Sequence, residues 1–163
     1  MPLVNLKTVL KGCVENHTAV GAFDALDHTF AEAIIKAAEE TRTPMILMVG
    51  DFEGPDYENF YPYLVDRLQR TTVPICLHFD HGSSFERCML AIRRGCTSVM
   101  IDGSALPFEE NVALTKKVVE AAHACGVDVE GEIGCIGSST GTMEGDGECS
   151  YTDPQSAKEF VEL

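Results

Sequence analysis

A parallel α/β fold made of successive βα units is the architecture this sequence predicts, on three observations. Short continuous apolar runs alternate with longer stretches of helical periodicity, the pattern of strands covered on both faces by crossover helices. Successive runs begin about 25–30 residues apart, which suits one βα unit each. Each run carries an acidic residue at or just beyond its C-terminal end. With 163 residues, 45% of them hydrophobic, and a mean hydropathy of +0.01, the composition is that of one globular domain, residues 1–163.

The elements follow in order. A helix-like start covers Leu3 to Glu15, and the first strand-like run is Ala19 to Phe23. From about Asp27 to Glu40, Phe30, Ala33, Ile34, Ala37 and Ala38 recur at helical spacing. Pro44 introduces the run Met45 to Val49, and a helical segment extends from about Tyr57 to Gln69. Pro74 introduces the run Ile75 to Phe79. Ser83 and Ser84 offer a cap for a helix from about Phe85 to Arg94, which Gly95 ends. The run Ser98 to Ile101 precedes a helix from about Glu109 to Ala124, closed by Gly126. A fifth run spans Val127 to Ile133, and a glycine-rich loop occupies positions 134–147. Thr152-Asp153-Pro154 then opens a last helix, with Pro in its first turn.

Charge and cysteine usage exclude several classes. Twelve Lys and Arg against 26 Asp and Glu leave a net charge of −14, which opposes binding to nucleic acid or an anionic membrane. An anionic substrate stays open, because a bound cation reverses the local field. No apolar run approaches the length of a membrane span, and the N-terminus has no signal-peptide pattern. The seven cysteines are widely spaced without a CxxC pair, so a disulfide framework or a four-cysteine zinc site is not expected. A cytoplasmic protein with reduced, partly buried thiols is the expectation.

The strand-end acids are Asp24, Asp51, Asp80, Asp102 and Glu132. Right-handed crossovers place all C-terminal strand ends on one face, where α/β sheets and barrels alike carry their sites. Carboxylates gathered there repel unless some are protonated or a cation lies among them. Asp is also a common turn former and helix cap, and that reading is preferred for Asp24 and Asp51.

Flanking residues favour function for the other three. In Ile75-Cys76-Leu77-His78-Phe79-Asp80-His81-Gly82, strand alternation puts His78 and Asp80 on one side. His81 goes to the other side unless the strand has ended, as Gly82 suggests. The Asp80-His81 pair then sits at the rim, where the imidazole can bind a metal and the carboxylate can act as acid/base or orient a ligand. A core His78 and a helix-capping Asp80 are the alternative. Asp102-Gly103-Ser104 alone reads as a capped turn. Glu130 and Glu132 put two carboxylates on one face of an otherwise apolar strand, which calls for a metal, a cationic side chain or substrate. The glycine-rich loop suits a lid over this face or a plain loop. His17, His28 and His123 read as surface or packing residues.

With these stretches in hand, the chain resembles the N-terminal part of the class II, zinc-dependent fructose-bisphosphate and tagatose-bisphosphate aldolases. The resemblance rests on VGAFDALD at 20–27, VPICLHFDHG at 73–82, SVMIDGSALPFEENVALTKKVVEAAHACGVDVEGEIGCIG at 98–137, and YTDP with AKEFVEL at 151–163. It implies a (βα)8 TIM barrel, of which about five of the eight units lie here, the domain being truncated at its C-terminal side. It implies reversible cleavage of a ketose 1,6-bisphosphate to dihydroxyacetone phosphate and glyceraldehyde 3-phosphate.

Carried over, His81 is a zinc ligand and Asp80 the acid/base at the C4 hydroxyl. Asp102 and Glu132 match positions that bind a second metal ion or a monovalent cation. The family's other two zinc-binding His come from later strands, and homodimers or higher homo-oligomers are expected. Ser138-Ser139-Thr140 stand where the family carries loop carboxylates, with Glu144 the nearest acid; Asp24 replaces an Asn and Ala105 a His. A non-catalytic half-barrel that self-associates or joins a missing half is the alternative reading.

Overall fold

The computed structural model describes residues 2–51, 55–134 and 152–163. In chain order the elements are β1 (Leu3–Val4), α1 (Leu6–Val9), α2 (Cys13–Asn16), β2 (Ala22–Asp24), α3 (His28–Thr41), β3 (Met45–Gly50), α4 (Pro55–Gln69), β4 (Ile75–Gly82), α5 (Phe85–Arg93), β5 (Ser98–Ile101), α6 (Phe108–Ala124), β6 (Asp128–Gly131) and α7 (Pro154–Glu162). The strands β2-β3-β4-β5-β6 lie side by side in sequence order and all pair in parallel, which is the expected succession of βα units. The arrangement is a partial (βα) barrel.

Helix boundaries follow the local signals. Asp27 caps α3 by accepting from the Thr29 and Phe30 amides at 2.7 and 2.9 Å. Ser84 caps α5 through the Arg87 amide at 3.2 Å, and Asp153 caps α7 through the Ser156 amide at 2.9 Å.

The N-terminus departs from expectation. Leu3–Val4 is a strand, not the start of a helix running to Glu15. Asn5 is extended and accepts from the Thr8 amide at 3.1 Å, so the helix begins only at Leu6; Gly12, with φ of 83°, then breaks it. Strand β1 pairs with Ile75 and Cys76 of β4, below the point where β5 begins at Ser98 opposite His78. The Thr97 hydroxyl seals the junction, donating to the Val4 carbonyl at 2.7 Å.

Strand alternation sorts the core into two layers. Leu47 and Val49 of β3, Leu77 and Phe79 of β4, and Val99 and Ile101 of β5 face the helices. There they meet Ala31, Ile35 and Ala38 of α3, Phe60, Leu64 and Leu68 of α4, Cys88 and Ala91 of α5, and Val118 and Ala122 of α6. Burial of each larger side chain stabilises by roughly 1.5–3 kcal/mol. The opposite face is lined at its base by Val9, Ile46 and Cys76, with Val4, Leu6, Val20 and Met48 packed beside them. Towards the strand C-terminal ends this inner face turns polar, with His78 and Ser98 buried side by side. No helix among the described residues is long and apolar enough to cross a membrane.

Candidate metal centre and acid/base site

Strand β4 carries the first site residues. It runs to Gly82, three residues past the predicted end, so Asp80 and His81 belong to the strand itself. Its pairing with β5 shifts register between Phe79 and Gly82, and His81 has a left-handed backbone with φ of 49°. This irregularity breaks the alternation that would send His81 away from Asp80. Gly82 permits it: a Cβ there would lie 2.6 Å from the Met100 carbonyl oxygen.

Asp102 follows β5 and Glu132 follows β6, so three adjacent strands deliver three ligand-bearing side chains to one rim. His81 Nδ1 lies 2.9 Å from Asp102 Oδ2 and 3.6 Å from Glu132 Oε2. One ligand atom from each of the three falls within 4.8 Å of the others. Asp102 is anchored through its second oxygen, which accepts from the Ser104 amide at 3.1 Å and hydroxyl at 2.6 Å. A mixed set of one imidazole and two carboxylates suits a divalent cation of borderline character, and three protein donors leave coordination positions open.

The Asp102 hydrogen bond raises the His81 pKa, helped by the charges of Asp80 and Glu132. Burial pushes Glu132 up, and the Asp102 charge adds to it. Burial also works to raise Asp102, but the Ser104 and His81 hydrogen bonds outweigh it and hold that carboxyl low. Asp80 is raised by burial and by the charges of Asp24 and Asp102, against the opposing pull of His81. An acid that holds its proton more readily than usual, beside three groups that could hold a cation, is equipped to exchange a proton with a hydroxyl. A cavity of about 410 Å³ opens here, lined by Asp24, Leu26, Gly50, Asp51, Asp80 and His81.

His78 is buried, as the core reading expected. Its Nδ1 lies 2.9 Å from Ser98 Oγ, and its Nε2 faces Glu130 Oε2 at 3.6 Å and Asp80 Oδ1 at 4.0 Å. His78 Nδ1 and the Ser98 hydroxyl thus share a hydrogen bond, and Nε2 is turned towards two carboxyls. Asp51 is structural: it accepts from the Ser83 amide at 2.9 Å and the Ser83 hydroxyl and Arg87 Nε at 2.5 Å, locking the β3 end to the start of α5. His28 stacks against Phe60 and Tyr63 at 4.9 and 4.5 Å, a packing role. Most of the glycine-rich segment, with Ser138, Ser139, Thr140 and Glu144, lies outside the described residues.

One buried polar residue near the site was not anticipated. Asn111 of α6 is 3% exposed, and its amide donates to the Glu132 carbonyl at 2.6 Å. Its signal is visible in hindsight: Asn111, Val118 and Ala122 share the buried stripe of α6, and a polar residue there demands partners.

The family described as fructose-bisphosphate aldolase class-II matches residues 4–163. The chain is 45% identical over 167 residues to the fructose-bisphosphate aldolase of Staphylococcus aureus (strain Mu50 / ATCC 700699), covering 99% of this chain and 58% of that protein. Identity and coverage are the same for the probable fructose-bisphosphate aldolase of Bacillus subtilis (strain 168), at 45%, 99% and 58%. Among solved structures, the YdjI aldolase of Escherichia coli K12 superposes with a TM-score of 0.87 at 35% identity, over 98% of this chain and 58% of that one. A putative fructose-1,6-biphosphate aldolase from Coccidioides immitis gives 0.83 at 28% identity, over 97% and 57%. The chain therefore spans about 58% of the length of the curated relatives it matches. On this coverage and identity, the chain belongs to the class II fructose-bisphosphate aldolase family.

Proposed function

We propose that this chain supplies the N-terminal βα units of a class II ketose-bisphosphate aldolase. The reaction is reversible cleavage of a ketose 1,6-bisphosphate, of the fructose or tagatose series, to dihydroxyacetone phosphate and glyceraldehyde 3-phosphate. The observation that carries the reading is the convergence of His81, Asp102 and Glu132 on one rim beside the raised carboxyl of Asp80. In this reading those three side chains hold divalent cations, zinc first, with a second divalent or a monovalent ion drawn to Asp102 and Glu132. Bound zinc supplies electrophilic polarisation of the ketose carbonyl.

The chain's own residues do the rest. Asp80 accepts the proton of the C4 hydroxyl as the C3–C4 bond breaks, and C4 becomes the aldehyde carbon. The electron pair passes to the three-carbon phosphate half, which is reprotonated at C3. In the synthetic direction Asp80 returns its proton to the new C4 oxygen. His78 faces Asp80 and Glu130 from the buried side. The reading includes a cytoplasmic enzyme that works as a homodimer or higher homo-oligomer.

The test is triose-phosphate release from fructose or tagatose 1,6-bisphosphate with zinc present, by a polypeptide carrying this chain. Asp80→Asn should lower turnover by roughly 10²–10⁴-fold while leaving the fold intact by circular dichroism. No release above background, or an Asp80→Asn variant as active as the wild type, removes the reading. A second reading, a non-catalytic half-barrel that self-associates or joins a complementary set of βα units, is favoured by one observation. Among the described residues, β2 and β6 each pair on one side only. A metal-free dimer without turnover would support it.

A further inference from the structure

We propose that Asn111 is a positioning residue for the cation-binding set, tying the segment that bears Glu132 to the segment that bears Asp102. The proposal rests on the reading of His81, Asp102 and Glu132 as that set.

Asn111 lies in the first turn of α6, the helix that leads from the Asp102 end of β5 to the start of β6. Its side chain is buried and both ends of the amide are used. The nitrogen donates to the Glu132 main-chain carbonyl at 2.6 Å. The oxygen accepts from the Thr115 hydroxyl, one helical turn on, at 3.1 Å. The first bond fixes which end of the amide faces Glu132, because a main-chain carbonyl only accepts and so selects the nitrogen, leaving the oxygen to the Thr115 hydroxyl. On its other side the amide lies against Gly103, the neighbour of Asp102. A Cβ built at position 103 would come within 2.2 Å of Asn111 Oδ1, so only glycine lets this backbone approach so closely.

One amide thus touches the backbone at Glu132 and the backbone next to Asp102. Glu132 lies beyond the end of β6, where no strand ladder holds it. With the tether gone, the Glu132 carboxylate samples positions outside the reach of the ion. Partners that orient metal ligands typically contribute about 10–100-fold in affinity.

The experiment is titration of the chain with Mn2+ alone, followed by electron paramagnetic resonance, which reads both affinity and coordination symmetry. Asn111→Leu removes the donor at similar volume and should weaken Mn2+ binding by about tenfold or more, with a broadened bound signal. Arg67→Lys, in the α3–α4 contact away from the site, should leave affinity unchanged although it lowers stability, which separates positioning from general destabilisation. His81→Ala and Asp102→Ala should abolish binding. If those two abolish binding and Asn111→Leu stays within about twofold of wild type, the Asn111 proposal falls and the cation reading stands. If His81→Ala binds Mn2+ like the wild type, or the wild type binds none, both fall. Should Asn111→Leu not fold, Thr115→Val decides: a loss of affinity in the same direction supports the tether, and an unchanged affinity overturns it.

Discussion

Acidification in the presence of a chelator should destabilise this protein through His78. The ring is 2% exposed and sits on the inner face of the sheet. Burial, with the nearby charge of His81, holds its pKa down to about 4. An imidazole in the unfolded chain titrates near ~6.5. Between those two values the unfolded chain binds a proton that the folded chain does not, so stability rises with pH across the window. The loss begins as pH falls below ~6.5, is complete near about 4, and is flat below that. A difference of about 2.5 pKa units, at about 1.36 kcal/mol each, amounts to roughly 3 kcal/mol.

The groups facing the ring act in the opposite sense. Asp80 on β4 and Glu130 on β6 are both raised, burial being the first cause, so they favour the folded state as they protonate. The wild type must therefore be compared with His78→Gln, whose amide still reaches Ser98 but does not titrate. Urea unfolding at steps from about pH 7 to about pH 4 gives the comparison. The wild type should lose roughly 3 kcal/mol more than the variant across that range. Parallel pH profiles for the two proteins would refute the assignment of this loss to a buried neutral imidazole.

Two further outcomes follow from the packing. Arg67 of α4 reaches α3, bonding Glu32 at 3.0 Å and both oxygens of Glu39 at 3.2 and 2.9 Å, and these bonds to Arg67 lead the causes that hold the Glu39 pKa down to about 2. Arg67→Lys keeps the charge but loses the two-pronged geometry; it should cost about 1 kcal/mol near neutrality in chemical denaturation. The difference should shrink as pH falls from the ordinary carboxylate range towards about 2, since a depressed carboxylate stabilises only while ionised. Cys76 and Cys88 are buried with pKa values pushed up to about 12, Cys96 is raised further, and Cys125 is exposed. A short alkylation of the native protein, read by peptide mass spectrometry, should label Cys125 and spare the three buried thiols until the chain unfolds. Native labelling of Cys96 would contradict its burial.

Much of the fold was legible because it is governed by local periodicity. The run from Met45 and the run from Ile75 are apolar on both faces because helices cover one face and the barrel interior the other. The caps at Ser84 and Asp153 were readable because a cap bonds amides two or three residues away. The short β1 was not, because two residues carry no period. Leu3–Val4 is a strand only because Ile75 and Cys76 lie open beside it. The extension of β4 through His81 was misread for a related reason: Gly82 looks like a terminator, yet it permits close passage of β5.

What the sequence alone determined is the succession of parallel βα units and, through it, the delivery of Asp80, His81, Asp102 and Glu132 to the same end of the sheet. Only the tertiary structure decided which of the strand-end acids meet. The adjacency of β4, β5 and β6 and the left-handed turn at His81 bring ligand atoms of His81, Asp102 and Glu132 within 4.8 Å of one another. The same packing gives Asp51 to Ser83 and Arg87, and gives Glu132 its tether to Asn111. Periodicity acts over a few residues and can be read along the chain. The meeting of side chains 21 and 30 positions apart depends on strand order, register and one backbone irregularity, which exist only when the sheet has formed.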